Sequence, residues 1–319
     1  MATVIDLPKQ HPRRRKDTIV TTIVAATPAM DTGFLWLDLT RKCQLRCSPC
    51  FNSSGPERTH GSMTREDWLR VLDQAAECGV RRVQLIGGEP TLHPDSRLVA
   101  DRALSLGLGV EIYSNLVRVP EAWWALLQRD GMSLATSYYS DAPEEHNKVT
   151  GRPSHARTLA NIKKAVELGI PLRIGMVAAA EAQRVSQARR ELAALGVRRI
   201  NVDHVRPFGR GARGRTPEVS GLCGRCGIGR AAVGPDGCVS PCVFSADLLG
   251  VGNVRNTPLA TILGSPAMAE ARASIRSVFA KGGGDGGGDD EGKGSCDPSC
   301  DPNAECSPGY PGSECGPRN

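Results

Sequence analysis

Three cysteines stand close together with a spacing that suits metal chemistry: Cys43, Cys47 and Cys50 form a C-x3-C-x2-C motif. Three thiolates can hold three irons of a four-iron cluster, which leaves the fourth iron open to a substrate or cofactor. A fourth thiolate would close the site, so the incomplete set favours catalysis. The alternatives are a zinc site with a distant fourth ligand, or three unligated thiols, although zinc sites favour paired C-x2-C hooks.

Eight more of the twelve cysteines fall in two later groups. The first consists of Cys223, Cys226, Cys238 and Cys242, and the second of Cys296, Cys300, Cys306 and Cys315. The first group surrounds a Pro-Asp-Gly turn, and a hairpin there would bring Cys226 and Cys242 together. It is expected to bind a metal cluster, with zinc or no metal as alternatives. The second group could hold a further cluster or zinc, or form a thiol-rich appendage.

Composition places the chain among ordinary soluble proteins, with 319 residues, 40% hydrophobic and 23% charged. No apolar run approaches the roughly 20 residues of a membrane span, and the N-terminus does not read as a secretory signal. We therefore expect a cytoplasmic protein without a membrane partner, in which grouped cysteines bind metal rather than form disulfides. The basic N-terminal stretch is expected to be a solvated arm, because no nucleic-acid-binding motif accompanies it.

Predicted strands and helices alternate from residue 34 to residue 208, and these elements must position the cysteines. Strands are predicted at 34–40, 82–86, 110–114, 133–138, 172–178 and 198–205. Helices are predicted at 64–78, 95–106, 121–129, 154–168 and 181–195, and a last helical region is predicted at 258–279. This alternation predicts an α/β fold with a parallel sheet, which right-handed crossovers curl into a barrel or wind doubly.

Polar or glycine-rich motifs follow the first strands in turn. The cysteine triad follows the first strand, Gly87-Gly88-Glu89-Pro90 the second and Ser114-Asn115 the third, while Tyr138 and Tyr139 end the fourth. Ligand sites in parallel sheets and barrels gather at this edge. These residues are therefore expected to meet at one site, and His204, at the end of the sixth strand, is a candidate proton donor or base.

Over roughly residues 34–208 this arrangement resembles the radical S-adenosylmethionine (SAM) enzymes. The resemblance implies a partial (β/α)6 TIM-type barrel, with a catalytic [4Fe-4S] cluster on Cys43, Cys47 and Cys50. It implies that Gly87 to Pro90 match the family's GGEP motif, whose backbone and Glu receive the amino group of the methionine moiety. It assigns Ser114 and Asn115 to the ribose and carboxylate. The family's aromatic residue before the third cysteine is replaced by Pro49, with Phe51 after the motif, which leaves the adenine contact open.

The spacing Cys226-x10-Gly237-x4-Cys242 resembles the opening of the SPASM/twitch type of auxiliary-cluster domain. It implies a small Cys-rich C-terminal domain with an auxiliary [4Fe-4S] cluster on the first later cysteine group. The tail does not continue the full SPASM pattern. The expected domains are an arm (1–30), the partial barrel (31–208), the iron–sulfur domain (209–280), and a flexible Gly/Asp linker with a Cys-rich tail (281–319).

The resemblance implies reductive cleavage of SAM to a 5′-deoxyadenosyl radical that abstracts hydrogen from a substrate. One hypothesis is a ribosomally made peptide that is crosslinked, epimerised or oxidised; a separate recognition protein is then expected, since only about thirty residues precede the barrel. The alternative is oxidation, epimerisation or decarboxylation of a small sugar- or nucleoside-type intermediate. A flavodoxin- or ferredoxin-type electron donor is expected in both. A non-enzymatic electron carrier or sensor would not need the GGEP motif.

Overall fold

The structure is a computed structural model, and it describes residues 32–280. Nine strands and eight α-helices occupy this part of the chain. The strands are β1 Phe34–Thr40, β2 Arg82–Gly87, β3 Gly109–Tyr113, β4 Met132–Ser137, β5 Leu172–Ala178, β6 Arg199–His204, β7 Arg230–Val233, β8 Cys238–Ser240 and β9 Gly252–Asn253. The helices are α1 Arg65–Glu77, α2 Ser96–Ser105, α3 Glu121–Leu127, α4 Pro143–Thr150, α5 His155–Glu167, α6 Val185–Ala194, α7 Leu259–Leu263 and α8 Pro266–Ala280. The N-terminal arm, the Gly/Asp linker and the tail cysteines lie outside the described residues.

The strands form one sheet in the order β6-β5-β4-β3-β2-β1-β7-β8-β9. Strands β1 to β6 are neighbours in chain order and pair in parallel. Right-handed crossovers between consecutive strands leave their helices on the same face of the sheet. A doubly wound sheet would require a reversal of strand order, and β1 to β6 show none. The expectation of a partial (β/α)6 barrel is therefore confirmed.

The cysteine-rich region continues the barrel sheet. Strand β7 pairs in parallel with β1, and β8 folds back antiparallel to β7. In the turn between them, the Gly234 N–H donates to the Cys238 carbonyl at 2.8 Å. Gly237 has φ +86°, a left-handed conformation that glycine adopts at little cost. The hairpin predicted from Pro-Asp-Gly therefore forms, and it rests directly on the first barrel strand.

An apolar core fills the space between the sheet and its helices, and α1 shows how the sequence builds it. Trp68, Val71 and Leu72 recur at helical spacing and are at most 1% exposed. Burial of side chains of this size contributes about 1.5–3 kcal/mol each. The helix begins where predicted because the Thr64 side chain accepts from the Asp67 N–H, and the Asp67 side chain accepts from the Thr64 N–H.

Two helical features differ from the sequence prediction. Helix α4 was not expected, because its sequence PEEHNKVT contains a single aliphatic side chain, Val149, and shows no apolar periodicity. Pro143 begins this helix, and Gly151, with φ +72°, ends it. The long helical region predicted at 258–279 is divided at Gly264 into α7 and α8. In residues 32–280, no helix is both long and apolar enough to cross a bilayer.

Candidate active site

The carboxyl ends of the six barrel strands open into one cavity of about 1000 Å³, part of which is open to solvent. Its wall is supplied by the cysteine loop after β1, Gly87 and Gly88 at the end of β2, Asn115 after β3, Tyr139 after β4, Val177 in β5 and His204 in β6. Loops at this edge of a parallel barrel can vary without disturbing the sheet. Residues that are far apart in the sequence therefore meet at one site.

All three cysteines of the first motif line this cavity; Cys43 is buried, while Cys47 and Cys50 are half-buried. Burial, and then the carboxylate of Glu89, raises the pKa of Cys43 to about 12. Burial and the neighbouring thiols also raise the pKa of Cys47. Metal binding requires thiolates. With these raised pKa values the two thiols are protonated at neutral pH, so a metal cluster that binds them would displace their protons.

Hydrogen bonds from two sides fix the cysteine loop. On one side, the Ser48 N–H donates to the Val149 carbonyl in α4 at 2.9 Å. On the other, the Arg210 N–H donates to the Cys50 carbonyl at 2.9 Å, and Arg210 Nε donates to the Cys47 carbonyl at 2.8 Å. Backbone groups thus set the loop's shape, which leaves the thiols free to face the cavity.

The Gly87-Gly88 turn lies against the loop that follows β1. The Gly88 N–H donates to the Thr40 carbonyl at 2.6 Å, and the Glu89 N–H donates to the Lys42 carbonyl at 2.9 Å. A Cβ on Gly88 would lie 2.2 Å from the Lys42 carbonyl oxygen. Glycine is therefore required here, and the cavity wall at this point is bare backbone that a ligand can approach closely.

Glu89 lies behind that wall and is fully buried. Its Oε1 accepts from the Thr91 N–H at 3.1 Å, from the Thr91 hydroxyl at 2.7 Å and from the Ser114 hydroxyl at 2.8 Å; its Oε2 accepts from the Asn115 N–H at 2.8 Å. The carboxylate therefore ties the end of β2 to the end of β3. Burial raises the pKa of Glu89 despite these donors.

Asn115 connects this buried hydrogen-bond network to the cavity. Its Nδ2 lies 3.5 Å from Cys43 Sγ, and its Oδ1 accepts from Gln44 Nε2 at 3.0 Å. The predicted site residues thus fall into two sets. Those lining the cavity are Cys43, Cys47, Cys50, Gly87, Gly88 and Asn115, and those buried behind its wall are Glu89, Pro90 and Ser114. Of the two predicted tyrosines, Tyr139 lines the cavity, and Tyr138 instead bonds with its hydroxyl to His155 and Glu191.

Two family models match the chain: the radical SAM superfamily over residues 37–179, and an iron–sulfur cluster-binding domain, SPASM, over residues 223–301. The chain therefore carries a radical SAM domain and a SPASM-type domain, and both resemblances seen in the sequence are confirmed. A [4Fe-4S] cluster and SAM are the cofactors of a radical SAM domain, and a SPASM domain carries auxiliary iron–sulfur clusters.

The curated relatives that match the chain include PqqA peptide cyclases. That of Gluconobacter oxydans is 29% identical over 184 residues, which are 57% of this chain and 51% of the relative. That of Methylobacterium sp. is 31% identical over 196 residues, 59% of this chain and 50% of the relative. The chain spans about half the length of the curated relatives it matches.

Several solved structures share the fold of this chain. Streptococcus suis SuiB bound to precursor peptide SuiA superposes with a TM-score of 0.65 at 16% identity, covering 77% of this chain and 67% of SuiB. Native anSMEcpe with bound AdoMet and Cp18Cys peptide superposes with a TM-score of 0.59 at 15% identity, covering 76% of this chain and 83% of the other.

The residues around the cavity fit the radical SAM cofactors. The thiols of Cys43, Cys47 and Cys50 line one cavity, and Cys47 is close enough to the other two for their charges to raise its pKa. Three thiolates on this loop can hold three irons of a four-iron cluster and leave the fourth iron open to a ligand. The buried thiols and the bare backbone at Gly88 provide what a cluster and an adjacent ligand require.

Three members of the second cysteine group meet between the hairpin and the segment before it. Cys223 Sγ lies 3.7 Å from Cys226 Sγ, and Cys242 Sγ lies 3.1 Å from Cys226 Sγ. A hydrogen bond from Cys226 lowers the pKa of Cys223, and the same hydrogen bond raises the pKa of Cys226. The buried thiols therefore share protons, which metal binding would displace. These three residues are thus placed to act together.

Cys238 is set apart from that trio. Its Sγ lies 3.8 Å from the Val239 carbonyl, and burial followed by the charges of Asp236 and Asp247 raises its pKa. Alternation along β8 turns Val239 into the core between sheet and helices and Cys238 to the opposite face, the side on which Cys226 and Cys242 are buried. The assignment of Cys238 to the auxiliary cluster stays a prediction.

The structure adds cavity residues that the sequence did not reveal, above all His146. This residue comes from the unexpected helix α4, is 1% exposed, and lines the cavity with its Nδ1 unpaired in the described part of the chain. Burial and the charge of His155 lower the pKa of His146 to about 4. His146 is therefore a neutral group at the site. A helix pattern with one apolar position gave no signal for it.

Proposed function

We propose that this chain cleaves SAM reductively and uses the resulting radical to modify a ribosomally made peptide by crosslinking, epimerisation or oxidation. The observation that carries the proposal is the opening of the Cys43, Cys47 and Cys50 loop onto a cavity walled by the ends of all six barrel strands. Phe244, from the second cysteine region, also lines this cavity, so residues of both cysteine regions face the same space.

In this proposal Cys43, Cys47 and Cys50 hold the cluster, and the backbone at Gly87 and Gly88 receives the methionyl end of SAM. The chemistry that the cluster and SAM supply when bound is one-electron cleavage of a carbon–sulfur bond to give a 5′-deoxyadenosyl radical, which abstracts a hydrogen atom from the substrate. The protein's own task is to hold the reacting atoms in close, aligned contact.

Residues in the cavity wall and directly behind it share that task. Asn115, fixed by Glu89, offers its side chain beside Cys43. Ser114 hydrogen-bonds to the same carboxylate and keeps the end of β3 in place for the ribose and carboxylate of SAM. Apolar walls at Ile86 and Phe244 displace water from the cavity, and that exclusion protects a reactive radical from side reactions.

A peptide substrate is supported by the curated relatives named PqqA peptide cyclase and by the shared fold of SuiB, whose structure contains a precursor peptide. The trio Cys223, Cys226 and Cys242 is proposed to hold the auxiliary cluster, which would take an electron from the substrate radical or pass one on. A flavodoxin- or ferredoxin-type protein is proposed as the electron donor to the first cluster.

The test is anaerobic reconstitution with iron and sulfide, followed by incubation with SAM and dithionite and quantification of 5′-deoxyadenosine by chromatography. The wild type is expected to form it, and Cys43→Ala is expected to abolish it. Cys78→Ala is the matched control, because Cys78 caps α1 and packs against the barrel core away from the cavity. Formation of 5′-deoxyadenosine that survives in Cys43→Ala would contradict the proposal.

The substrate class is tested separately by co-expression with short peptides encoded beside the gene, followed by mass spectrometry. Loss of two hydrogens from a peptide would indicate a crosslink or oxidation, and deuterium uptake from heavy water without net mass loss would indicate epimerisation. An enzyme that cleaves SAM but alters none of these peptides, and instead consumes a sugar or nucleoside, would contradict the peptide assignment.

A further inference from the structure

A pair of phenylalanines lies between the two cysteine sites. Phe51 follows Cys50 directly, and Phe244 comes two residues after Cys242. Their ring centroids lie 4.9 Å apart with the planes inclined at 55°. Both rings line the cavity. The cavity wall opposite the barrel strands is therefore formed jointly by the residues that follow a ligand of each site.

Phe244 is held rigidly to the auxiliary site. It lies in a short 3₁₀ turn, Val243–Ser245, that begins at Cys242. The Cys242 N–H donates to the Ser245 hydroxyl at 3.0 Å, and that hydroxyl donates to the Cys242 carbonyl at 2.9 Å. Ser245 is fully buried. A shift of Cys242 must therefore move the Phe244 ring.

Phe51 is held rigidly to the first site. The segment Phe208–Arg210 lies against its backbone, and a Cβ on Gly209, which has φ +52°, would be 2.4 Å from the Phe51 carbonyl oxygen. Phe208 also packs on Phe244, with ring centroids 5.7 Å apart. If the Phe244 ring moves toward the cysteine loop, it must therefore displace Phe51. If it moves away from the loop, it leaves a gap in the packing.

The same apolar group contains the auxiliary thiols themselves. Cys226 and Cys242 are buried in it beside Phe208, and Phe51 and Phe244 pack against it. Binding of a metal cluster by thiolates orders the residues that carry them, and preordering a cavity wall removes part of the cost of ligand binding. Binding of a cluster at the auxiliary site can therefore affect the first site through the contact between the Phe51 and Phe244 rings.

We propose that Phe51 and Phe244 are positioning residues that couple occupancy of the Cys223, Cys226 and Cys242 site to the affinity of the cavity for SAM. The inference rests on the proposed binding of SAM at this cavity. With the auxiliary site loaded, the Phe244 ring holds Phe51 in place and the wall is complete. With the auxiliary site empty, the turn after Cys242 is free to move, and the cavity wall that contacts SAM is less ordered.

The test is anaerobic calorimetry of SAM binding to the full chain, with iron content as the measure of loading. Emptying the auxiliary site with Cys226→Ala and Cys242→Ala is expected to raise the Kd for SAM by about 2- to 10-fold, the size of an aromatic-pair interaction. In a Phe51→Leu, Phe244→Leu background, the same cysteine changes are expected to alter the Kd by less than about 2-fold.

Phe34→Leu is the matched control. The Phe34 ring packs on Trp36 at the same centroid distance of 4.9 Å and belongs to the same apolar group, but Phe34 does not line the cavity. In this background the coupling is expected to persist. If the cysteine variants do not fold, Phe244→Leu in fully loaded protein serves instead, and a weaker SAM-induced change in the electron paramagnetic resonance spectrum of the reduced first cluster is expected.

An unchanged Kd for SAM on emptying the auxiliary site would overturn the inference. An equal rise in the Kd with and without the phenylalanine pair would overturn it as well. In the fallback experiment, a Phe244→Leu spectrum that responds to SAM like the wild type would do the same. A wild type that binds SAM but shows no coupling overturns this inference alone. A wild type that binds no SAM overturns the proposed function and the inference with it.

Discussion

Replacement of Glu89 by Gln tests what the buried carboxylate does. In the structure both carboxylate oxygens accept from donors on Thr91, Ser114 and Asn115, and Glu89 is not in the cavity wall. A glutamine retains an acceptor for the Thr91 and Ser114 groups only by turning its NH2 toward the Asn115 N–H. Two donors then face each other, and the hydrogen bond that fixes Asn115 is lost.

The expected loss of stability follows from that geometry. Leaving one buried donor without an acceptor costs about 1–3 kcal/mol. Burial of the charge, which raises the pKa of Glu89, offsets part of this cost, so the lower half of the range is expected. For a chain of this size, that is a fall in Tm of about 2–8 °C. Because Asn115 lines the cavity, the Kd for SAM should also rise by about 2- to 10-fold, as for one lost hydrogen bond.

The assay is thermal unfolding of metal-free protein without SAM, followed by calorimetric SAM titration of reconstituted protein. Glu121→Gln is the matched control, since Glu121 is 87% exposed and only pairs with Lys164 at the surface; its Tm should not change. If Glu89→Gln left the Tm of the metal-free protein unaltered and weakened SAM binding alone, Glu89 would act by direct contact with SAM, and its role in positioning Asn115 would be refuted.

Three further perturbations have defined outcomes. Gly88→Ala places a methyl group against the Lys42 carbonyl, next to Cys43, so the turn must shift and SAM binding should weaken by about 5- to 100-fold; an unchanged Kd would contradict the close packing of Gly88 on this loop. His146 has a folded-state pKa near 4, below its unfolded value, so it reduces stability as pH falls from about 6.5 toward 4, by up to about 1.4 kcal/mol per pH unit; His146→Gln should flatten that slope in denaturant titrations, and an unchanged slope would refute the assignment. Cys238→Ala should keep the auxiliary iron that Cys226→Ala loses, and equal loss in both would restore Cys238 as a ligand.

Periodicity and turn chemistry predicted the elements that carry the site. Strands β1 and β5 begin and end at the predicted residues, because buried parallel strands read as short apolar runs bounded by glycine. The position of motifs after successive strands then predicted the convergence of Cys43 and Asn115, since the ends of parallel strands share one edge. These inferences depend on local sequence alone.

The contacts that sequence could not reveal are those between distant segments. The parallel pairing of β7 with β1 depends on packing between residues nearly 200 positions apart. Helix α4 is fixed by contacts to the cysteine loop rather than by its own apolar pattern. Cys238 was grouped with Cys226 by nearness in sequence, but its Sγ lies beside the Val239 carbonyl, whereas the thiols of Cys223, Cys226 and Cys242 contact one another.

The central claim is that three thiolates hold a four-iron cluster with one iron open beside a SAM site. Its most direct test is iron and sulfide analysis, with electron paramagnetic resonance of the reduced protein, for wild type and for a variant with Cys43, Cys47 and Cys50 all changed to alanine. The variant should lose about four irons per chain, together with the spectral change that SAM induces in the wild type. Zinc in place of iron in the wild type, or an iron content unaltered in the variant, would contradict the account.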